Sequence, residues 1–247
     1  MDSINSSPIM VFIDLDDTFF QTKRKNSDAI IPATESPNPL TVSYMSDEQK
    51  ALWDLLNASE NCSIIPVTAR DYAQYTRTFI SRDNRIKYAS VNFGADILCD
   101  KESDPVWKSH IDSHLKVSSV QISELDALVR EKISNEVFNV YNVDNYYVSI
   151  KNKNRDDFYS SNSECFTILS GFIPDDFNLY QNDNNISIVP KCIDKKNAVQ
   201  YLIDKNKPKL TIGIGDSLSD WNFMDSCHFK ILPQKSQINR TINELKF

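Results

Sequence analysis

The sequence predicts an α/β fold in which a Rossmann-like, doubly wound parallel sheet carries an inserted α+β domain. Short apolar runs alternate with helix-like segments over the first hundred residues, and the alternation returns near the end of the chain. Between these two blocks the pattern changes to closely spaced strands. A chain of 247 residues is long enough for one large domain and a smaller one. We therefore predict a core formed by residues 1–98 and 191–247, and an inserted domain of residues 99–190.

The first block is predicted to contain three strands and two helices. Residues 9–13 are wholly apolar, as in a strand buried on both faces of a parallel sheet. Ser46 and Gln49 form a capping-box pattern ahead of apolar residues at helical spacing, which predicts a helix over residues 46–58. The elements predicted after it are a strand at 62–67, a helix at 71–81 and a strand at 86–91.

Residues 21–44 contain three prolines and little periodicity, so we predict a long loop after the first strand. Loops of this length are often functional lids. A disordered surface insertion is an equally good interpretation of the same pattern.

The remaining elements follow from the same periodicities. The second block of the core is predicted to contain a helix at 195–203, a strand at 210–214, a helix at 217–224 and a strand at 229–232. The inserted domain is predicted to contain helices near 105–114 and 123–133, strands within 137–150 and at 164–169, a short helix near 174–180, and a strand at 186–189.

Composition narrows the class of partner and the compartment. The net charge of −7 opposes binding to a phosphate backbone, so nucleic acid is a poor candidate partner. The five cysteines show no close pairing, which is typical of reduced thiols in a cytoplasmic protein. The first apolar run is too short for a signal peptide or a membrane span, so we expect a soluble protein that does not bind membranes. The oligomeric state is open.

Polar residues follow the predicted strands, at the place where open α/β sheets bind ligands. The first strand ends in Asp14-Leu15-Asp16-Asp17-Thr18, the second in Thr68-Ala69-Arg70, and a later one in Gly215-Asp216-Ser217-Leu218-Ser219-Asp220. Carboxylates that converge on one point repel each other and are costly to desolvate. Because Mg²⁺ takes oxygen ligands from carboxylates and from substrate phosphate, its binding would offset that cost. These strand ends therefore predict a magnesium site.

Four motifs in order resemble those of the haloacid dehalogenase superfamily of phosphohydrolases. They are Asp14-x-Asp16-x-Thr18, a distant Thr68, Lys195 at a helix start, and Gly215-Asp216-x-x-x-Asp220. Each lies at a predicted strand end or helix start, so a chance match is improbable. The resemblance implies a phosphoric monoester hydrolase that acts on a small phosphorylated metabolite.

The resemblance also implies roles for the residues of the first three motifs. Asp14 would attack phosphorus to form an aspartyl-phosphate, and Asp16 would act as general acid and base. A carboxylate at position 16 favours phosphoryl transfer over dehalogenation. Thr68 and Lys195 would bind the substrate phosphate. Since Lys196 stands where the family has glycine, the phosphate contact could belong to Lys196 instead.

The fourth motif and its neighbours are expected to hold the metal and support the site. By resemblance, Asp216 would bind Mg²⁺ together with Asp14 and the backbone carbonyl of Asp16. The supporting residues are expected to be Asp220, Ser217 and Arg70, of which Arg70 would pair with a carboxylate.

The place of the insertion resembles that of the larger cap domain in phosphatases of sucrose phosphate, trehalose phosphate and mannosyl-phosphoglycerate. Such a cap would exclude water and select the substrate, which implies a sugar phosphate. The candidate contacts to the leaving group are Tyr146, Tyr147, Lys151, Lys153 and Arg155, although the residues themselves favour a solvated strand face. Two alternative functions remain: a phosphomutase like the eukaryotic phosphomannomutases, and a non-catalytic regulator that binds phosphosugars.

Overall fold

The protein is described by a computed structural model, which covers residues 8–36, 42–154 and 157–244. The chain divides into two compact units, of which the first comprises Met1–Lys108 and Asp194–Phe247 and the second comprises Ser109–Ile193. The predicted boundaries, after residues 98 and 190, differ from these limits by ten residues at the first and by three at the second. The catalytic and substrate-selecting roles of the two domains stay predictions.

The helices and strands are numbered here in chain order. The strands before the insertion are β1 (Ile9–Ile13), β2 (Gln21–Thr22), β3 (Ile31–Pro32), β4 (Ser43–Met45), β5 (Cys62–Pro66), β6 (Tyr88–Val91), β7 (Asp96–Cys99) and β8 (Glu102–Ser103). The helices over the same part are α1 (Asp47–Asn57), α2 (Tyr72–Tyr75) and α3 (Pro105–Leu115). The second unit adds α4 (Ile122–Lys132), β9 (Phe138–Val143), β10 (Tyr147–Asn152), α5 (Tyr159–Ser170), β11 (Phe177–Asn182) and β12 (Asn185–Pro190). The chain then continues with α6 (Lys195–Asn206), β13 (Leu210–Ile214), α7 (Leu218–Asp225), β14 (Phe229–Ile231) and α8 (Gln237–Glu244).

The first unit is built on a parallel sheet with strand order β14-β13-β1-β5. Strand β1 lies at its centre, pairing with β13 on one side and with β5 on the other. Its residues Met10 to Ile13 are buried, as the unbroken apolar run predicts. A parallel bridge between Val67 and Ser90 brings β6 alongside the end of β5. The predicted α/β class and parallel core sheet are therefore confirmed.

Two predictions in the first unit need correction. The predicted helix at 71–81 ends at Tyr75, because the next residues pair with the segment that follows β3, through a bridge between Thr34 and Thr78. The predicted loop at 21–44 contains strands β2 and β3 and the start of β4, which form a small antiparallel sheet in the order β2-β4-β3. Residues 37–41 of that segment lie outside the described residues.

The second unit contains an antiparallel sheet in the order β11-β12-β10-β9. Leu125 and Val129 of α4, Leu169 of α5 and the alternate residues Val148 and Ile150 of β10 form one buried cluster. The helices thus cover one face of the sheet, the usual arrangement of an α+β domain.

The sequence analysis predicted the wrong type, helix or strand, for two elements of this unit. The predicted strand at 164–169 is part of helix α5, whose Cys165 and Leu169 are buried one helical turn apart. The predicted helix near 174–180 is instead strand β11, which forms a hairpin with β12. Asp183 lies in the turn with a positive φ of 54°, a conformation that Asp adopts more readily than most residues.

No helix in the part of the chain that the structure describes is long and apolar enough to cross a membrane.

Asp104 joins the start of α3 to α6 within the first unit. Its Oδ1 accepts hydrogen bonds from the backbone amides of Val106 at 3.0 Å and Trp107 at 3.1 Å. Its Oδ2 accepts from the Tyr201 hydroxyl at 3.1 Å and from the Lys205 ammonium at 2.6 Å. Burial acts to raise the pKa of Asp104, but the hydrogen bonds from Lys205 and the Trp107 amide outweigh it, so the pKa is lowered.

We predict that Asp104→Asn lowers the free energy of unfolding by about 1 to 3 kcal/mol at pH 7, because the charged hydrogen bond from Lys205 is lost while Asn can still cap α3. The folded-state pKa lies below the unfolded value of about 3.9, so this stabilisation is present above that value. It disappears as the pH falls through the folded-state pKa. Urea unfolding at several pH values measures the difference, with Asp54→Asn, which breaks an exposed ion pair with Lys50, as the control. An equal loss of unfolding free energy in Asp104→Asn and Asp54→Asn would contradict the role assigned to Asp104.

Candidate active site

The carboxyl ends of three neighbouring strands bring the predicted residues together. Asp14 follows β1, and its amide continues the ladder by donating to the carbonyl of Ile214 at 2.9 Å. Thr68 follows β5, and Asp216 follows β13. Because parallel strands end at the same edge of a sheet, these residues lie at one edge.

A single buried lysine connects two of the motifs. The Nζ atom of Lys195 lies 2.7 Å from Oδ1 of Asp14 and 2.7 Å from Oδ1 of Asp220. All three side chains are buried, with exposures of 7% or less. Lys196 is exposed, and its backbone amide donates to the carboxylate of Asp194, which caps α6. The structure therefore places Lys195, and not Lys196, at Asp14.

Asp220 holds Lys195 and closes the start of α7. Its Oδ2 accepts from the Ser217 hydroxyl at 2.7 Å and from the Ser217 amide at 3.0 Å, which is a capping box. A Cβ atom at Gly215 would lie 2.6 Å from the Cβ of Asp220, so only glycine allows this close approach. The predicted supporting residues Asp220 and Ser217 thus form one hydrogen-bonded unit with Lys195.

Thr18 lies between the carboxylates of Asp14 and Asp216. Its hydroxyl oxygen is 3.2 Å from Oδ2 of Asp14 and 3.1 Å from Oδ1 of Asp216. A hydroxyl has one proton to donate, so it can satisfy only one of these oxygens at a time. The side-chain Nε2 of Gln49, from the capping box of α1, donates to the Thr18 carbonyl at 3.1 Å and fixes this turn. Thr18 belongs to the first motif, but the sequence did not predict its contact with Asp216, which lies 198 residues further along the chain.

Burial and mutual repulsion act on the acidic groups. Burial, reinforced by the charge of Asp220 and opposed by Lys195, raises the pKa of Asp14 well above its usual value. Burial and the charges of Asp220 and Asp17 raise the pKa of Asp216 to about 7. For Lys195, burial acts to lower the pKa, but the charges of Asp14 and Asp220 outweigh it and raise the pKa. The lysine therefore stays protonated while the carboxylates resist ionisation.

The donor set at this edge fits a divalent cation. Asp14, Asp216 and Asp220 each place one carboxylate oxygen within 4.8 Å of the others, and Lys195 contacts only two of the three. Both oxygens of Asp220 already accept hydrogen bonds, whereas Asp14 and Asp216 share the proton of Thr18. The oxygens left for a metal are thus those of Asp14 and Asp216, and oxygen ligands of this kind suit Mg²⁺.

Arg70 holds the side chain of Asp16 with two hydrogen bonds. Its Nε and Nη2 atoms each lie 2.7 Å from a carboxylate oxygen of Asp16, the fork geometry of a strong ion pair. The guanidinium also lies over the ring of Phe20, 5.1 Å from its centroid. Burial acts to lower the pKa of Arg70, but the charge of Asp16 outweighs it and raises the pKa. The expected pairing of Arg70 with a motif carboxylate is present in the structure.

Thr68 is almost fully buried at the end of β5. Its hydroxyl oxygen accepts from the amide of Arg70 at 3.1 Å, and its own amide donates to the carbonyl of Ser90 at 2.9 Å. Because the hydroxyl accepts in this contact, its own proton is not used there and can be donated to another acceptor. This geometry suits a donor to a phosphate oxygen, although the phosphate contact itself stays a prediction.

The candidate contacts in the second unit have different surroundings. Tyr147 and Lys151 alternate with the core residues Val148 and Ile150 along β10, so they lie on the face of the sheet opposite α4 and α5. Lys153 donates to the carbonyl of Asn135 at 2.5 Å. Tyr146 is buried in the turn that precedes β10.

Arg155, the remaining candidate contact, lies outside the described residues.

Comparison with solved structures shows which fold this is. The chain is similar to the C-terminal domain of trehalose-6-phosphate phosphatase from C. albicans, with a TM-score of 0.58, 17% identity, and coverage of 90% of this chain and 74% of that one. It is similar to the sucrose-phosphatase of Synechocystis, with a TM-score of 0.57, 13% identity, and coverage of 96% of each chain. A haloacid dehalogenase-like hydrolase from B. subtilis gives a TM-score of 0.53 at 13% identity, covering 93% of this chain and 90% of that one.

Sequence comparisons add no relative: no family model matches the chain, and no curated protein matches it. The chain has the fold of the haloacid dehalogenase-like phosphatases that carry an inserted domain. The resemblance predicted from the four motifs is therefore confirmed at the level of the fold.

We predict that Lys195→Met lowers the free energy of unfolding by about 3 to 5 kcal/mol in the absence of metal, because two buried carboxylates lose their shared cation. Lys196→Met is the matched control and is expected to change stability by less than about 0.5 kcal/mol, since its side chain is exposed. Chemical unfolding of both variants in a chelator measures the effect. Equal stabilities of the two variants would contradict the buried ion-pair assignment.

We also predict that Mg²⁺ stabilises the folded protein, by about 1.4 kcal/mol for each tenfold rise in concentration above the dissociation constant. Asp216→Asn should remove the effect, and Asp225→Asn, at an exposed residue at the end of α7, should retain it. Because the metal binds the ionised carboxylate and the pKa of Asp216 is about 7, binding should be weaker at pH 6 than at pH 8. Thermal unfolding with and without Mg²⁺ at both pH values tests this. Stabilisation that survives Asp216→Asn would contradict the site.

Proposed function

We propose that the protein is a Mg²⁺-dependent phosphatase that hydrolyses a small phosphate monoester, with a sugar phosphate as the substrate class. The observation that carries the proposal is the Asp14–Lys195–Asp220 cluster beside Asp216 and Thr18, at the strand ends of a fold that solved phosphatases share. The fold similarity supports phosphatase chemistry and does not favour the phosphomutase or the non-catalytic regulator.

Asp14 acts as the nucleophile in this proposal. One of its oxygens attacks phosphorus and forms an aspartyl-phosphate, while the bond from phosphorus to the leaving alcohol breaks. Its Oδ1 is held by the Lys195 ammonium, so Oδ2 is the oxygen on the side of Thr18 and Asp216. The charge of Lys195 opposes the pKa rise that burial causes and so favours the ionised, nucleophilic form of Asp14.

Asp16 acts as general acid and then as general base. It gives a proton to the leaving oxygen in the first step and takes one from water in the second, which are opposite transfers by the same group. Arg70 fixes the orientation of the carboxylate through two hydrogen bonds. The acid step requires that Asp16 be protonated when the substrate is bound.

Charge on the transferring phosphoryl group is balanced by donors at the strand ends. The Thr68 hydroxyl and the Lys195 ammonium would donate to its oxygens. Mg²⁺, held by Asp14, Asp216 and the carbonyl of Asp16, would supply positive charge between the anionic nucleophile and the anionic phosphate. Asp220 and Ser217 would act through Lys195 and α7 and would not touch the substrate.

The second unit, Ser109–Ile193, is proposed to select the leaving group. Tyr147, which is buried, and Lys151 lie on one face of β10, and this face is proposed to contact the leaving group. The solved phosphatases of trehalose-6-phosphate and sucrose phosphate, which have the same fold, support a phosphorylated sugar as the substrate class.

We predict that phosphate release from a panel of sugar phosphates, nucleotides and small phosphoesters requires Mg²⁺ and is lowered at least about a thousandfold by Asp14→Asn, because the nucleophile is lost. The matched control, Asp225→Asn, should retain activity. Product analysis with hexose phosphates separates hydrolysis from transfer within the substrate. Isomer formation without free phosphate would indicate the mutase, and activity that survives Asp14→Asn would contradict the mechanism.

A further inference from the structure

The turn after β6 packs against the start of α6, the helix that carries Lys195. Gly94 in this turn has a φ of +99°, and a Cβ atom there would lie 2.6 Å from the carbonyl oxygen of Asp194 and 3.1 Å from the amide nitrogen of Lys195. That carbonyl is the first of α6, since it accepts from the amides of Asn197 at 3.0 Å and Ala198 at 3.3 Å. Only a glycine permits both the backbone conformation and the close contact.

A buried tryptophan also contacts this turn. The indole nitrogen of Trp107 donates to the carbonyl of Gly94 at 2.9 Å. Trp107 is itself fixed, because its amide donates to Asp104 and its ring lies 5.0 Å from that of Tyr201. Trp107 is 4% exposed, so this hydrogen bond is shielded from water.

The same contacts join the two separate segments of the first unit. Trp107 comes just before the first segment ends at Lys108, and Asp194 begins the second segment. Lys195 thus comes two residues after the eighty-five residues of the second unit. The start of its helix packs against the Gly94 turn.

We propose that Gly94 and Trp107 are positioning residues for Lys195: they fix the start of α6 so that the lysine amine reaches Asp14 and Asp220. This proposal rests on the proposed function. The amine makes two contacts of 2.7 Å from one helix terminus, so a small shift of that terminus breaks both. Misplacement of a reacting group by about 1 Å can lower a rate by about a hundredfold.

Trp107→Phe is the main test, since it keeps an aromatic ring but removes the N–H donor to the Gly94 carbonyl together with part of the buried indole. The matched control is Tyr201→Phe, which removes one O–H donor to Asp104 from the same cluster and leaves the Gly94 turn intact. We expect Trp107→Phe to lower kcat/KM at least about tenfold, and Tyr201→Phe to lower it less than about twofold. An equal loss in both variants would overturn the proposal.

A double-mutant cycle separates positioning from general destabilisation. If Trp107 acts through Lys195, then Trp107→Phe has no further effect on kcat/KM once Lys195→Met is present. Multiplied losses in the double variant would overturn the proposal.

Hydrogen exchange provides a readout that does not depend on activity. We expect the amides of Lys196, Asn197 and Ala198 to exchange faster in Trp107→Phe and in Gly94→Ala, and at the wild-type rate in Tyr201→Phe. Gly171→Ala is the control for the added methyl group, because a Cβ there meets its nearest atom at 3.3 Å and the backbone has no positive φ. Unchanged exchange at the start of α6 would overturn the proposal. A wild-type protein without phosphatase activity would contradict the proposed function alone, since the exchange result still decides what orders α6.

Discussion

The structure depends on one electrostatic constraint: carboxylates from two strand ends and one helix start lie together around a single buried lysine. Asp14 and Asp216 follow adjacent strands because β1 and β13 pair in parallel, and Asp220 comes from the helix after β13. Lys195 compensates Asp14 and Asp220, whereas the side-chain hydrogen bond to Asp216 among the described residues comes from Thr18. The cluster thus holds three carboxylates and one lysine, an excess of negative charge that a divalent cation would balance.

Backbone geometry, more than side-chain bulk, sets the distances within this cluster. Gly215 lets α7 approach so closely that Asp220 reaches Lys195, and Gly94 does the same for the start of α6. Asp17 has a positive φ of 65°, a backbone conformation that favours glycine, and its side chain pairs with Lys25 at 2.5 Å. The negative charge of Asp17 contributes to the high pKa of Asp216, so this residue affects the site as well as the turn.

The parts of the fold that could be predicted from sequence are those with strong local signals. Buried parallel strands such as β1 are unbroken apolar runs, and the capping box at Ser46 and Gln49 marks α1 in the sequence and in the structure. The exchange of helix and strand at α5 and β11 has a physical cause. The residues of α5 include β-branched and aromatic side chains, and tertiary packing of Cys165 and Leu169 against the sheet outweighs that preference.

The candidate site shows the same limit. The motifs predicted that Asp14, Thr68, Lys195 and Asp216 converge, because strand ends meet at one edge of a parallel sheet. The resemblance also gave Arg70, Ser217 and Asp220 as supporting residues, but it did not identify Asp16 as the partner of Arg70. The contact of Trp107 with the Gly94 turn, beside the Lys195 helix, joins distant residues without a periodic signal, so it becomes visible only in three dimensions.

Capture of the covalent intermediate tests the central claim most directly. The wild-type protein, mixed with Mg²⁺ and its best sugar phosphate and quenched in acid within one turnover, should carry a phosphoryl group on the peptide that contains Asp14. The account predicts that this adduct is absent from Asp14→Asn and accumulates in Asp16→Asn when a substrate with a good leaving group is used, since loss of the general base slows hydrolysis of the intermediate. A wild-type protein that releases phosphate without passing through any adduct on Asp14 would contradict the account.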